Sequence, residues 1–166
     1  MVSSLVKNLF IPVSGLKKTQ TLCESLQVVK SHKIHFLESN NRSSHPLELI
    51  HSGVWTSPVM LVSGCKFYVI FIDDFSRFTW LFPFKQKSEV FDCFVRFKSL
   101  VENQFSSSIK QLLTGNGGEY LSTVFQEYLS QNRILLKLTC LYTSEQNGVS
   151  ERKHRHITNI GLTLLA

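Results

Sequence analysis

The chain has 166 residues, 43% apolar and 18% charged, with 13 phenylalanines and a formal net charge of +6. That balance excludes a disordered or low-complexity chain and suits one core of moderate size. The longest apolar run, Phe67 to Ile72, is six residues, too short for a membrane-spanning helix, so no membrane partner is expected.

Residues 1–45 read as a partly structured arm and polar linker. They carry Lys17-Lys18 and the stretch Ser39-Asn40-Asn41-Arg42-Ser43-Ser44, and His45-Pro46 marks their end. Six basic and two acidic residues precede Pro46, against twelve and ten after it. Lys7 and Pro12 interrupt the first apolar residues and make a poor signal peptide. Four scattered cysteines, Cys23, Cys65, Cys93 and Cys140, form no Cys-x-x-Cys pair. They read as reduced thiols of an intracellular protein rather than a disulfide frame.

From 46 onward the texture is that of a folded domain. Leu47 to Val54 predicts a first strand, Phe67 to Ile72 a second, and Asp73-Asp74-Phe75-Ser76 a turn. Phe78 to Phe82 predicts a third strand stopped by Pro83. Ser88 offers an N-cap for a helix to about Phe105, with Val90, Phe91, Phe94, Phe97 and Val101 at helical spacing. Ile109 to Thr114 predicts a fourth strand, Ser122 to Asn132 a short helix, and Ile134 to Leu138 a fifth strand. The loop Thr139 to Gly148 leads to a last helix from about Val149. The order predicts an α/β fold, a five-stranded mixed sheet flanked by helices. Ile157, Ile160 and Leu164 form one stripe of the last helix. A stripe with nothing after it to cover it fits a domain whose C-terminal helices are missing, and fits equally a helix that packs on the sheet and ends the protein.

Phosphodiester chemistry with two divalent metals needs carboxylates converging from separate elements. A first strand, the end of a fourth and a last helix could supply them. The residues at those places are Gly53, Gly115 and Glu151.

Four segments carry a specific resemblance: Leu47-Glu48-Leu49-Ile50-His51-Ser52, Tyr68 to Arg77, Asn116-Gly117-Gly118-Glu119, and Gln146 to His154. Together they resemble the integrase catalytic core of a Copia-type LTR retrotransposon polyprotein, over about residues 46–166. The resemblance implies an RNase H-like fold and, in intact members, a magnesium-dependent DDE-type site that joins element ends to target DNA in the nucleus. The family's third acidic residue falls on Glu151. Its two aspartates fall on Gly53 and Gly115, which offer no side-chain oxygen.

The expectation is therefore a degenerate, catalytically inactive core with no metal site and no cofactor. Asp73, Asp74 and Glu119 are the carboxylates placed to substitute. Without aspartate partners, Glu151 also suits a surface pair with Arg155, four residues on. The arm resembles the family's zinc-binding region, but Leu26 stands where Cys23 would need its partner and no histidine precedes Cys23. His32 and His35 are read as solvated. Arg152, Lys153 and Arg155 are the candidate nucleic-acid contacts, since phosphate binding needs positive charge and not metal. A non-catalytic module that binds DNA or integrase subunits, and a metal nuclease with rearranged carboxylate ligands, stay open as alternatives.

Overall fold

The computed structural model describes residues 42–59, 64–139 and 144–165, all within one compact unit, Asn40–Ala166. The expectations for Cys23, Leu26, His32 and His35 lie outside the described residues.

Five strands form one sheet: β1 (Leu49–Thr56), β2 (Phe67–Asp73), β3 (Thr79–Phe84), β4 (Gln111–Thr114) and β5 (Leu135–Leu138). Their spatial order is β3-β2-β1-β4-β5. The first three run antiparallel as a meander, and β4 and β5 join β1 in parallel. The parallel pairs are reached through helical crossovers, as parallel strands require. Helix α1 (Val90–Phe105) connects β3 to β4, and α2 (Thr123–Gln131) connects β4 to β5. Helix α3 (Gly148–Leu165) follows β5. The mixed sheet flanked by helices is the predicted architecture.

Alternation along the central strands separates two cores. One face turns Ile50, Val69, Phe71 and Leu112 toward the apolar stripes of α1 and α2, which add Phe94, Phe97 and Phe125. Phe71 stacks on Phe97 at 4.3 Å between ring centroids. The opposite face is thinner: Tyr68, Ile70 and Ile72 pack with Trp55 and with Val149 and Ile157 of α3. Of the predicted α3 stripe, Ile157 packs here, while Ile160 and Leu164 are exposed.

Two local expectations are corrected. Pro83 does not stop β3; it pairs opposite Tyr68 within the strand. On an edge strand a residue without an N–H leaves the ladder intact. Ser88 does not cap α1. A 3-10 turn, Lys87–Glu89, precedes the helix, and Glu89 reaches back to accept the Gln86 N–H at 2.7 Å and the Lys85 N–H at 3.1 Å. That carboxylate serves the backbone of Gln86, the N-cap of the 3-10 turn, as the N3 half of a capping box does. At α2 the expected Ser122 stands at the N-cap.

Candidate active site

Pairing sets the site. Leu49, Ile50 and His51 of β1 lie beside Gln111, Leu112 and Leu113 of β4 in parallel register. Continuing that register brings Gly53 alongside Gly115 just past the end of β4. The turn after Gly115 is fixed at both sides: Asn116 donates to the Thr139 carbonyl at 2.7 Å, and the Tyr120 and Ser52 hydroxyls bond at 2.7 Å. The start of α3 is tied to β1 by Asn147, whose Nδ2 donates to the Ser52 carbonyl at 2.8 Å. The Ser150 hydroxyl donates to the Asn147 carbonyl at 3.0 Å. Glu151 stands in the first turn of the helix so anchored.

Gly53, Gly115 and Glu151 therefore line one cavity of about 250 Å³, together with Trp55, Glu119 and Asn147. The three positions onto which the resemblance maps the family's acidic residues meet in space. What they present is one carboxylate and two stretches of bare backbone.

The space beside Gly53 is not open. Trp55 lies two residues on along β1, on the same face, and its indole folds back over the glycine. A Cβ at position 53 would collide with Trp55 Cη2, with Cζ3 at 2.7 Å and Cζ2 at 2.8 Å. Any side chain there requires the indole to move. The ring is held in place by stacking on His154 of α3, at 4.6 Å between centroids and 7° between planes. The Tyr68 hydroxyl bonds His154 Nδ1. Burial, reinforced by Arg155 and opposed by Glu151, lowers the His154 pKa below the ordinary histidine value, favouring the neutral ring. Gly115 differs: nothing lies within 4 Å of a Cβ there.

The carboxylates placed to substitute go to different tasks. Asp73 is committed to the turn, accepting the Leu47 N–H at 2.9 Å and, from Ser76, the N–H at 2.9 Å and the hydroxyl at 2.6 Å. Asp74 pairs with Arg77 at 3.0 Å, bonds His51 Nε2 at 3.0 Å and accepts the Ser43 N–H at 2.7 Å. Burial alone raises the Asp74 carboxyl, but Ser43, His51 and Arg77 together outweigh it and hold it below its ordinary value. Glu119 lines the cavity, its carboxylate folded beside Gly117. Among the described residues no group of three or more His, Cys, Asp or Glu side chains could hold a metal ion. No ion pair joins Glu151 to Arg155 among the described residues.

His51 was not singled out from sequence. Its Nδ1 faces the Asn147 Oδ1 at 3.3 Å and its Nε2 faces Asp74, so one buried ring links β1, the turn after β2 and the start of α3. The signal was alternation: His51 sits two residues before Gly53 and shares its face. The predicted cations separate on the helix. Arg152 and Lys153 line one concavity with Arg77, and Arg155 lines another with Glu151 and His154.

Comparison with known proteins agrees with this fold. The integrase core domain family matches residues 49–144. The chain is 46% identical, over all 166 residues, to the retrovirus-related Pol polyprotein from transposon RE2 of Arabidopsis thaliana. It is 39% identical, over 81% of its length, to that from transposon TNT 1-94 of Nicotiana tabacum. It spans 11% and 10% of those polyproteins. The HTLV-2 integrase catalytic core domain, solved in complex with magnesium in a trimeric form, superposes with a TM-score of 0.58 at 22% identity, over 75% of each chain. That likeness shows the fold. The family match over more than half of the chain and the two plant relatives show that this chain belongs to the integrase core domain family of retrotransposon Pol polyproteins.

Proposed function

We propose that this domain is a Copia-type integrase core that has lost DNA strand transfer and keeps contact with nucleic acid. The observation that carries the first half is Gly53: the family's aspartate is absent and the Trp55 indole fills the space its side chain needs. Gly115 removes a second carboxylate from the same cavity.

A magnesium pair does not fit the residues present. Each ion prefers several oxygen ligands in octahedral geometry, and the cavity offers Glu151 and the folded Glu119. No catalytic step is therefore assigned to a metal. The test is end processing and strand transfer by the purified chain on a duplex bearing element-end sequence, in magnesium and in manganese. Neither reaction is expected. Metal-dependent joining abolished by Glu151→Gln overturns the reading.

One observation favours a second reading, a nuclease with rearranged ligands: Glu119 and Glu151 line the same cavity. It predicts metal-dependent cleavage lost in both Glu119→Gln and Glu151→Gln.

Nucleic-acid contact is supported by the basic surplus and by the exposed Arg152 and Arg155 and half-exposed Lys153 at the start of α3. Phosphate contact of this kind is independent of sequence and weakens with salt. Other integrase subunits are the protein partners the reading implies, in line with the trimeric form of the HTLV-2 core, and the nucleus is the compartment. As a non-catalytic module, the domain would act through these contacts alone.

A further inference from the structure

The two faces of α3 carry different chemistry. Glu151, His154, Arg155 and Thr158 follow the i, i+3, i+4, i+7 pattern of one face and line a concavity that shares Trp55 and Glu151 with the cavity of Gly53 and Gly115. Val149, Arg152, Lys153 and His156 follow the same pattern on the opposite face. They line a separate concavity of about 420 Å³ with Ile72 and Arg77.

That second concavity has the makings of an anion site. Among the described residues three permanent cations and a histidine border it, and no carboxylate does. Arg77 is preset: its backbone takes the left-handed conformation, φ 64°, and its N–H donates to the Asp73 carbonyl at 2.8 Å. Its Nη1 rests on Asp74 at 3.0 Å, and its other guanidinium nitrogens make no protein hydrogen bond among the described residues. Arg152 and Lys153 enter no ion pair among the described residues. Ile72 is buried and Val149 half-buried, and they give the concavity an apolar floor, which strengthens the field of charges above it.

We infer that this concavity binds phosphate groups of a nucleic-acid strand, on the side of α3 away from the former catalytic cavity. The volume exceeds what a lone carboxylate or inorganic phosphate fills and lies in the range of sites for larger ligands, roughly 300–1,000 Å³. Guanidinium groups match phosphate oxygens in bidentate fashion, and the apolar floor suits the sugar or base beside the phosphate. The inference rests on the nucleic-acid half of the proposed function and assigns that contact to Arg77, Arg152, Lys153 and His156 rather than to Arg155.

The test is fluorescence anisotropy of a labelled single-stranded oligonucleotide across a salt series. The wild-type chain is compared with an Arg152→Gln/Lys153→Gln double variant and with Arg155→Gln, each checked for its fold by circular dichroism. The double variant is expected to bind about tenfold more weakly, with the slope of log affinity against log salt reduced by about 1.4. Arg155→Gln is expected to change both far less. Wild-type binding that the double variant leaves intact, or that Arg155→Gln weakens as much, overturns the assignment and leaves nucleic-acid contact standing. No wild-type binding at low salt overturns both. Competition identifies the ligand: oligonucleotide should outcompete a nucleoside triphosphate, inorganic phosphate and polyglutamate. A triphosphate or phosphate that competes as well points to a free anion, and polyglutamate to an acidic peptide; either overturns the strand assignment.

Discussion

His51 and Gly53 stand two residues apart on one strand and one face, and their fates differ. Around His51 the polar wiring is complete: Asp74, Asn147, Ser43 and Arg77 are joined through short contacts, and no buried side-chain polar atom among the described residues lacks a partner. Around Gly53 there is no side chain, and an indole fills the space one would need. The difference separates what holds a site's shape from what does its work. The wiring brings β1, the turn after β2 and the start of α3 together whether or not metal ligands are present. A buried charge network is costly to break, whereas the sheet pairs in full register with a glycine at position 53.

The comparison breaks most readily at Asp74. Asp74→Ala leaves buried His51 and the Ser43 N–H without their acceptor and should cost about 3 kcal/mol, read as a lower midpoint in urea unfolding. A loss below about 1 kcal/mol would show that the wiring does not hold the fold. The same carboxyl sets an acid limit. Its folded pKa lies below its ordinary value, so its contribution is present above the unfolded pKa and drains as pH falls through the folded one, below about pH 4. His154 is likewise lowered, so its contribution begins to fall below about pH 6.5. Urea midpoints measured from pH 8 to pH 3 should show both declines, with Asp74→Asn removing the lower and His154→Gln the upper.

At Gly53 the effect should be smaller. Gly53→Ala forces the indole off His154 and should cost about 1–3 kcal/mol, with a red shift of Trp55 emission in a Trp80→Phe background. An unchanged spectrum would mean that the indole does not cover the glycine. The smallest effect belongs to Glu151, which has no ion-pair partner among the described residues: Glu151→Gln should move stability by less than about 0.5 kcal/mol.

Much of this was legible beforehand because the strands announce themselves. Tyr68 to Ile72 is buried on both faces and reads as a continuous apolar run, and the helical spacing of Phe94, Phe97 and Val101 marks the α1 stripe. The meeting of Gly53, Gly115 and Glu151 was visible as spacing and resemblance. The indole over Gly53 was not, since a rotamer chosen by a ring on α3 has no local signature. Pro83 misled because its rule depends on whether a strand lies at the edge, which is settled only by the sheet order. The opposition of Arg152 and Lys153 to Arg155 follows from helical geometry, but the partner Arg77 comes from a turn 75 residues earlier.

On the proposed function, the fold persists while its metal site does not. Isothermal titration of magnesium into the wild-type chain and into Glu151→Gln tests it most directly. Two weak, indistinguishable, non-saturating isotherms are expected. Saturable binding near two ions per chain, lost in Glu151→Gln, would contradict it.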